Sequence, residues 1–204
     1  MKSALESCVA RLGEGLRAFP FADRRVYGDW LAQTYWYVRH STRLLAAAAA
    51  RFAQDEAGNA LHVRLAAHMA EEKRHERLAE HDLKALGLGL DAFGERASTR
   101  AFYECQYYKV EHVNPVALFG YILALEAMSA AHGPWAYEQA SSAHGAAAAS
   151  FLKLHAHDDA DHVQRAIAMV ERIDARGRAD IEQNLEQSTF GYLTMLRELT
   201  AARR

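Results

Sequence analysis

Helix-breaking residues are scarce in this chain of 204 residues, and that scarcity most limits the folds it can adopt. Proline occurs only at Pro20, Pro115 and Pro134, and the glycines fall in a few places. Because a proline removes a backbone donor and clashes with the preceding helical turn, long stretches without one can remain helical. Alternating apolar and polar residues, which would indicate strands, are not apparent. The sequence therefore predicts an all-α fold.

Apolar residues recur at the 3.6-residue period of an amphipathic helix along most of the chain. One start is well marked, because Asn114 suits the N-cap and Pro115 suits the first helical position. The main irregular connection is the stretch ALGLGLDAFGERAS. We predict one domain over residues 1–204, built as a helical bundle. The predicted helices cover residues 3–18, 24–54, 58–86, 98–111, 115–131, 134–142, 144–173 and 177–202.

Charge and cysteine content exclude several classes of protein. The chain has 24 basic and 26 acidic residues and a formal net charge of −2, whereas a nucleic-acid-binding surface needs an excess of cations. Cys8 and Cys105 are too few for a disulfide framework, and the N-terminal residues lack the apolar core of a signal peptide. We therefore expect a cytoplasmic protein with no nucleic-acid partner. The longest apolar run, PVALFGYILALEAMSAA, contains a glutamate and is shorter than a bilayer span, which predicts a buried helix and no membrane segment.

The stretch HAHDDADH, residues 155–162, places three histidines and three aspartates inside a predicted amphipathic helix. At about 100° per residue, the apolar side chains of this helix fall within about 60° of His155. Asp159 and His162 fall near the same direction, at about 40° and −20°. Burying these groups costs several kcal/mol unless they are paired, and a bound metal would pair all three. The alternative is a structural role, with the core histidines hydrogen-bonded to the aspartate.

A second predicted helix also carries ionisable residues on its apolar face. Glu72 lies at the centre of its apolar face, and His75 lies about 60° away and one turn further on. This Glu-x-x-His spacing is the one by which a single helix offers a carboxylate and an imidazole to a di-iron centre. His68 also faces inward, one turn before Glu72. It is a candidate either for an additional ligand or for a hydrogen-bonding neighbour of the ligands.

Glu126 is the only charged residue of the apolar run PVALFGYILALEAMSAA. Ionised carboxylates are rarely buried without a partner, so Glu126 either binds a metal, pairs with an arginine or caps a backbone group. Mixed carboxylate and imidazole ligands suit two iron ions. Zinc is less suitable because the donors are too many for one tetrahedral site and include no cysteine. The candidate metal ligands are Glu72, His75, Glu126, His155, Asp159 and His162.

These motifs, namely EEKRH, Glu126 in its apolar helix and the H-x3-D-x2-H pattern of HAHDDADH, resemble the heme-oxygenase-like di-iron oxidases, relatives of the TenA and PqqC proteins. The resemblance covers roughly residues 24–173. It implies a heme-oxygenase-like bundle of about seven helices that holds two iron ions and uses O2 as co-substrate. The reactions that the resemblance implies are N-oxygenation, decarboxylation or cleavage of carbon–carbon or carbon–hydrogen bonds in small organic substrates, so it does not imply one substrate.

The resemblance also implies a homodimer, and an external electron donor is a possible partner. Side chains near the ligands could tune the centre by hydrogen bonding. The candidates for that role are His40, His68, Tyr37 and Tyr107.

Other functions remain open at the level of sequence. A ferritin-like di-iron carboxylate protein would need an acid on its first helix, yet no acidic residue occurs between Asp29 and Asp55, and His155 would be superfluous. A TenA-like hydrolase without metal would use Cys105 as its nucleophile. A heme oxygenase would use His40 as the proximal ligand. A non-enzymatic helical module would leave the polar ladder exposed or paired with itself.

Overall fold

The computed structural model describes residues 1–201, except for the side chains of residues 157–162. Within this range the chain forms nine α-helices, three short 3₁₀ turns and no strand, which confirms the predicted all-α fold. The helices are α1 (Lys2–Ala18), α2 (Arg24–Val38), α3 (Ser41–Ala49), α4 (Glu56–Glu71), α5 (Glu76–Ala85), α6 (Ala97–His112), α7 (Leu118–His144), α8 (Ser150–Val170) and α9 (Ala175–Ala201).

Two helices predicted as continuous are each divided in two. The prediction over 24–54 is wrong because the chain bends between α2 and α3, at residues 39–40. The prediction over 58–86 is wrong because α4 and α5 are separated by a turn at residues 72–75. Within that turn Arg74 has a φ of 71°, which a right-handed helix cannot contain.

Two other predicted helices, 115–131 and 134–142, form one helix, α7, which contains Pro134. The lost backbone donor does not end α7, which packs against α1, α8 and α9. The predicted start is confirmed, since the Asn114 side chain accepts a hydrogen bond from the Val116 amide (3.2 Å) in a 3₁₀ turn that leads into α7.

The helical stretch Pro115–His144 is longer than the apolar run identified in the sequence. By length and composition this helix could cross a membrane, so the prediction that it is shorter than a bilayer span is wrong. In the fold, however, 72% of its most apolar window is buried. Its apolar character is therefore accounted for by packing in the protein core.

Close helix contacts at α7 require residues without a side chain. A Cβ at Gly120 would lie 2.3 Å from the Ile181 carbonyl oxygen and 2.5 Å from the Leu185 nitrogen, both backbone atoms of α9. A Cβ at Gly133 would lie 3.0 Å from the Cβ of Ala156 on α8. The two glycines therefore allow α8 and α9 to approach the central helix.

The N-terminus of α8 is anchored to α5 by a buried carboxylate. Asp82 is fully buried and accepts hydrogen bonds from the Phe151 amide (2.8 Å) and from the Ser150 hydroxyl. Because Phe151 lies in the first turn of α8, Asp82 accepts from a backbone N–H that a helix start leaves unpaired, and it also accepts from the Ser150 hydroxyl. This contact determines where α8 begins relative to α5.

We expect Gly120→Ala to lower the free energy of unfolding by about 1–3 kcal/mol, because the added methyl group meets backbone atoms that cannot rotate away. Urea unfolding followed by circular dichroism measures the change. Gly94→Ala is the matched control, since a Cβ there meets nothing within 4 Å. Equal stability of the two variants would contradict the close approach of α7 and α9.

We expect Asp82→Ala, which removes the anchor of α8, to lower the free energy of unfolding by about 1–3 kcal/mol, because buried donors lose their acceptor. The same unfolding experiment applies, with the exposed Asp91→Ala as control. If Asp82→Ala were as stable as the parent protein, the anchoring contact would not stabilise the fold.

Candidate metal centre

The turn between α4 and α5 presents the first two candidate ligands. Glu72 caps the C-terminus of α4 and His75 precedes the first residue of α5. The His75 amide donates to the Glu72 carbonyl (3.3 Å), and the His75 Nδ1 lies 3.5 Å from the Glu72 Oε2. The turn therefore holds the carboxylate and the imidazole side by side, although they do not lie on one continuous helix as predicted.

The third candidate ligand, His155, lies on α8. Glu72, His75 and His155 each offer a donor atom, and these atoms all lie within 4.8 Å of one another. The rings of His75 and His155 are 5.0 Å apart and nearly perpendicular. This spacing is suitable for one metal ion bound by three side chains.

The orientation of His155 is fixed by its own helix. Its Nδ1 lies 2.9 Å from the Phe151 carbonyl oxygen. Since a carbonyl oxygen only accepts, Nδ1 carries the hydrogen and Nε2 keeps a lone pair. A metal-binding histidine commonly donates its other N–H to a carbonyl or carboxylate in this way. Because Asp82 holds the Phe151 amide, the position of His155 is tied through Phe151 to α5.

Glu126 and His68 form a buried pair next to Glu72. The His68 Nε2 lies 2.9 Å from Glu126 Oε1 and 3.7 Å from Glu72 Oε1. Burial disfavours a charged His68, but hydrogen bonds and the negative charges of Glu126 and Glu72 outweigh it and raise the pKa of His68 to about 9. Burial likewise disfavours a charged Glu72, but His68 and His75 hold its pKa well below the usual range. Without metal, one imidazolium therefore links two carboxylates.

Arg64 is a further charged residue beside this pair that was not recognised in the sequence. Its Nη1 lies 4.0 Å from Glu71 Oε2, and its side chain is largely buried. Burial lowers the pKa of Arg64, while the carboxylates of Glu126 and Glu71 act in the opposite direction. A signal was present, because Arg64 precedes His68 by four residues and so lies on the same face of α4.

Glu72, Glu126 and His155 border a cavity of about 80 Å³, whereas His75 is not among its lining residues. Most of its lining is apolar and aromatic, with Trp30, Leu44 and Phe151 among the side chains. Its ionisable lining, apart from tyrosines, consists of His68, Glu72, Glu126 and His155. The arrangement can hold a small molecule next to the candidate ligands in an environment of low polarity.

The remaining predicted residues are placed differently. Tyr37 lines the cavity. His40 and Tyr107 do not belong to the described lining. Instead the His40 Nδ1 pairs with the Tyr107 hydroxyl (2.9 Å), and the His40 ring stacks on Tyr103 at 3.9 Å. The ligand roles predicted for Asp159 and His162 lie outside the described side chains.

The donors that the structure brings together are carboxylates and imidazoles, the types that non-heme iron prefers. Buried carboxylates of this kind require positive charge nearby, which a metal ion would provide. The residues present therefore fit an iron site.

Comparison with solved structures shows the fold. A domain of unknown function with a heme-oxygenase-like fold from Shewanella denitrificans superimposes with a TM-score of 0.86 at 18% identity, covering 100% of this chain and 93% of that one. A TenA homologue from Pseudomonas syringae pv. tomato matches with a TM-score of 0.75 at 14% identity, covering 98% and 90%. A TenA homologue from Pyrococcus furiosus matches with a TM-score of 0.73 at 13% identity, covering 95% and 98%.

No curated protein matches the sequence significantly. The family of iron-containing redox enzymes, in contrast, matches residues 28–192. That range includes all six candidate ligands and most of the bundle. The resemblance inferred from the sequence motifs is thus confirmed at the level of fold and family, and the chain belongs to the family of iron-containing redox enzymes.

Proposed function

We propose that this protein is a non-heme di-iron oxidase or oxygenase that uses O2 to oxidise a small organic substrate. The observation that carries the proposal is the convergence of Glu72, His75 and His155 within 4.8 Å, beside the buried pair of His68 and Glu126. Family membership supports iron and redox chemistry. The number of iron ions, the use of O2 and the class of substrate are part of the proposal.

The two carboxylate oxygens of Glu72 face different groups, so that each could serve a different ion. Its Oε2 faces His75, and its Oε1 faces His68, which in turn contacts Glu126. The first ion would be held by Glu72, His75 and His155. The second would be held by Glu126 and by the other oxygen of Glu72. Asp159 and His162 remain predicted ligands that would complete the two coordination spheres.

Two ferrous ions bound there would supply electrons to O2. The protein's own residues provide the setting for this reaction. The Phe151 carbonyl holds the proton on His155 Nδ1, so that Nε2 stays available to the metal. The apolar cavity walls exclude water, which strengthens electrostatic interactions with the ligands and limits side reactions. The cavity of about 80 Å³ is suitable for a small substrate.

The competing functions find less support in the described residues. Cys105 makes a poor nucleophile because desolvation raises the pKa of its thiol, and it is not among the residues that line the cavity. His40 is engaged on one ring face by Tyr103 and at Nδ1 by Tyr107, so it is not presented to the cavity as a heme ligand. A ferritin-like protein would use another helical fold from the one matched here.

Anaerobic titration with Fe(II), followed by exposure to O2, tests this proposal. We expect the parent protein to bind about two irons per chain, as a di-iron centre requires, and then to consume O2. His155→Ala and Glu72→Ala should each lose iron and O2 consumption, because each removes a ligand. Iron content is measured by absorbance and Mössbauer spectroscopy.

His112→Ala and Glu104→Ala are matched controls, because both residues are exposed on α6 and outside the cavity lining. They should bind iron as the parent does. Absence of stoichiometric iron from the parent, or iron binding that is indifferent to both ligand substitutions, would contradict the proposed function.

A further inference from the structure

The turn that carries Glu72 and His75 has an outer face as well as an inner one. Lys73 and Arg74 lie between the two candidate ligands in sequence, and both are exposed. They line a surface cleft of about 630 Å³ together with Arg39, in the bend between α2 and α3, and Arg43 of α3. The cleft therefore lies over the metal-binding turn.

The cleft carries an excess of positive charge. Of its cations, Arg77 is paired with Glu76 (3.5 Å) and with Glu80 (2.7 Å). In the part of the chain that the structure describes, the other four have no carboxylate oxygen within 4.0 Å. Four uncompensated cations in one cleft are notable in a chain whose formal net charge is −2. These four, which we call the basic cluster, are Arg39, Arg43, Lys73 and Arg74.

Two members of the basic cluster are held in place. Arg43 Nη1 donates to the Arg39 carbonyl oxygen (3.1 Å), and the Arg39 guanidinium lies over the Trp36 ring, 5.1 Å from its centre. Like charges gathered in one cleft repel, and the repulsion is relieved when an anionic partner binds. The basic cluster is thus suited to a negatively charged surface.

The position of the basic cluster next to the candidate ligands indicates which kind of anionic partner it binds. Lys73 directly follows one candidate ligand and Arg74 directly precedes another, and adjacent Cα atoms are about 3.8 Å apart. A protein bound to the basic cluster would therefore lie close to the metal centre. A short distance between the bound protein and the metal centre favours electron transfer from one to the other.

We propose that the basic cluster is the docking site for an acidic one-electron carrier protein that reduces the iron centre. This inference rests on the proposed function. Reduction of O2 to water consumes four electrons, so a substrate that gives up two leaves two to be supplied. Two reduced carriers would each lose one electron, and two ferric ions would each gain one to become ferrous. The carrier's acidic surface pairs with the basic cluster and guides the encounter.

Binding can be measured independently of the metal. The probe is a plant-type [2Fe–2S] ferredoxin in which gallium replaces iron, so that it binds but transfers no electrons, with calorimetry on the full chain. We expect Arg39→Glu/Arg43→Glu to weaken binding by about tenfold or more at low ionic strength, with a smaller loss for Arg39→Gln/Arg43→Gln. Added salt should weaken binding of the parent protein, because it screens exposed charges.

The control is Arg17→Glu/Arg197→Glu, which reverses two exposed arginines on α1 and α9 outside the cleft. It changes the net charge by the same amount and should bind ferredoxin as the parent does. Circular dichroism verifies that each variant is folded. Equal loss of binding in the control and the cleft variant would show a general charge effect and overturn the proposal.

Electron transfer is measured on the ferric-loaded protein by stopped-flow absorbance with reduced ferredoxin. The cleft variant should be reduced about tenfold more slowly than the parent by ferredoxin, but equally fast by photoreduced deazaflavin, a small reductant that needs no docking site. Equal rates with ferredoxin would overturn the proposal, as would saturable binding of inorganic phosphate to the cleft with no binding of ferredoxin. Failure to take up iron would instead contradict the proposed function, and the gallium-ferredoxin measurement still decides whether the cleft binds the carrier.

Discussion

The charge balance of two buried carboxylates is the constraint on which the rest of the structure depends. Glu126 is buried in α7, and the side chain of Glu72 is largely buried in the turn after α4. An ionised group in such a position is strongly destabilising without a counter-charge. In the iron-free protein, His68 lies between them and carries the compensating proton, with Arg64 nearby. Iron ions would replace that compensation with a stronger one. The fold therefore contains ionisable side chains in its interior at the site where the proposed reaction needs them.

The chain departs from a regular helix at the turn that carries Glu72 and His75. A continuous helix through residues 58–86 would place Glu72 and His75 about 60° apart on one face. The observed turn brings the two side chains together and turns Lys73 and Arg74 outward. The positive φ of Arg74 is unfavourable for a residue with a side chain, and such conformations concentrate at functional sites. The same short turn thus holds two candidate ligands on its inner face and two cations on the protein surface.

Much of the fold and part of the centre could be predicted from the sequence, because both depend on periodicity. Apolar spacing indicated the helices, and departures from it at Glu72, Glu126 and His155 indicated polar groups in the core. The turn at Arg74 could not be predicted, since no glycine or proline marks it and tertiary contacts hold it. Pro134 was interpreted as a break, yet it lies within α7, where packing maintains the helix. His40 was predicted to tune the centre, but it lies in the bend before α3, and its partners Tyr103 and Tyr107 on α6 come from distant sequence.

The most direct test of the account is a crystal structure of the protein loaded with Fe(II) without oxygen, with anomalous diffraction recorded at the iron absorption edge. We expect two anomalous peaks, one on either side of the Glu72 carboxylate. One would be bound by His75 and His155, and the other would lie next to Glu126. A single peak, or iron located away from Glu72, would contradict the account.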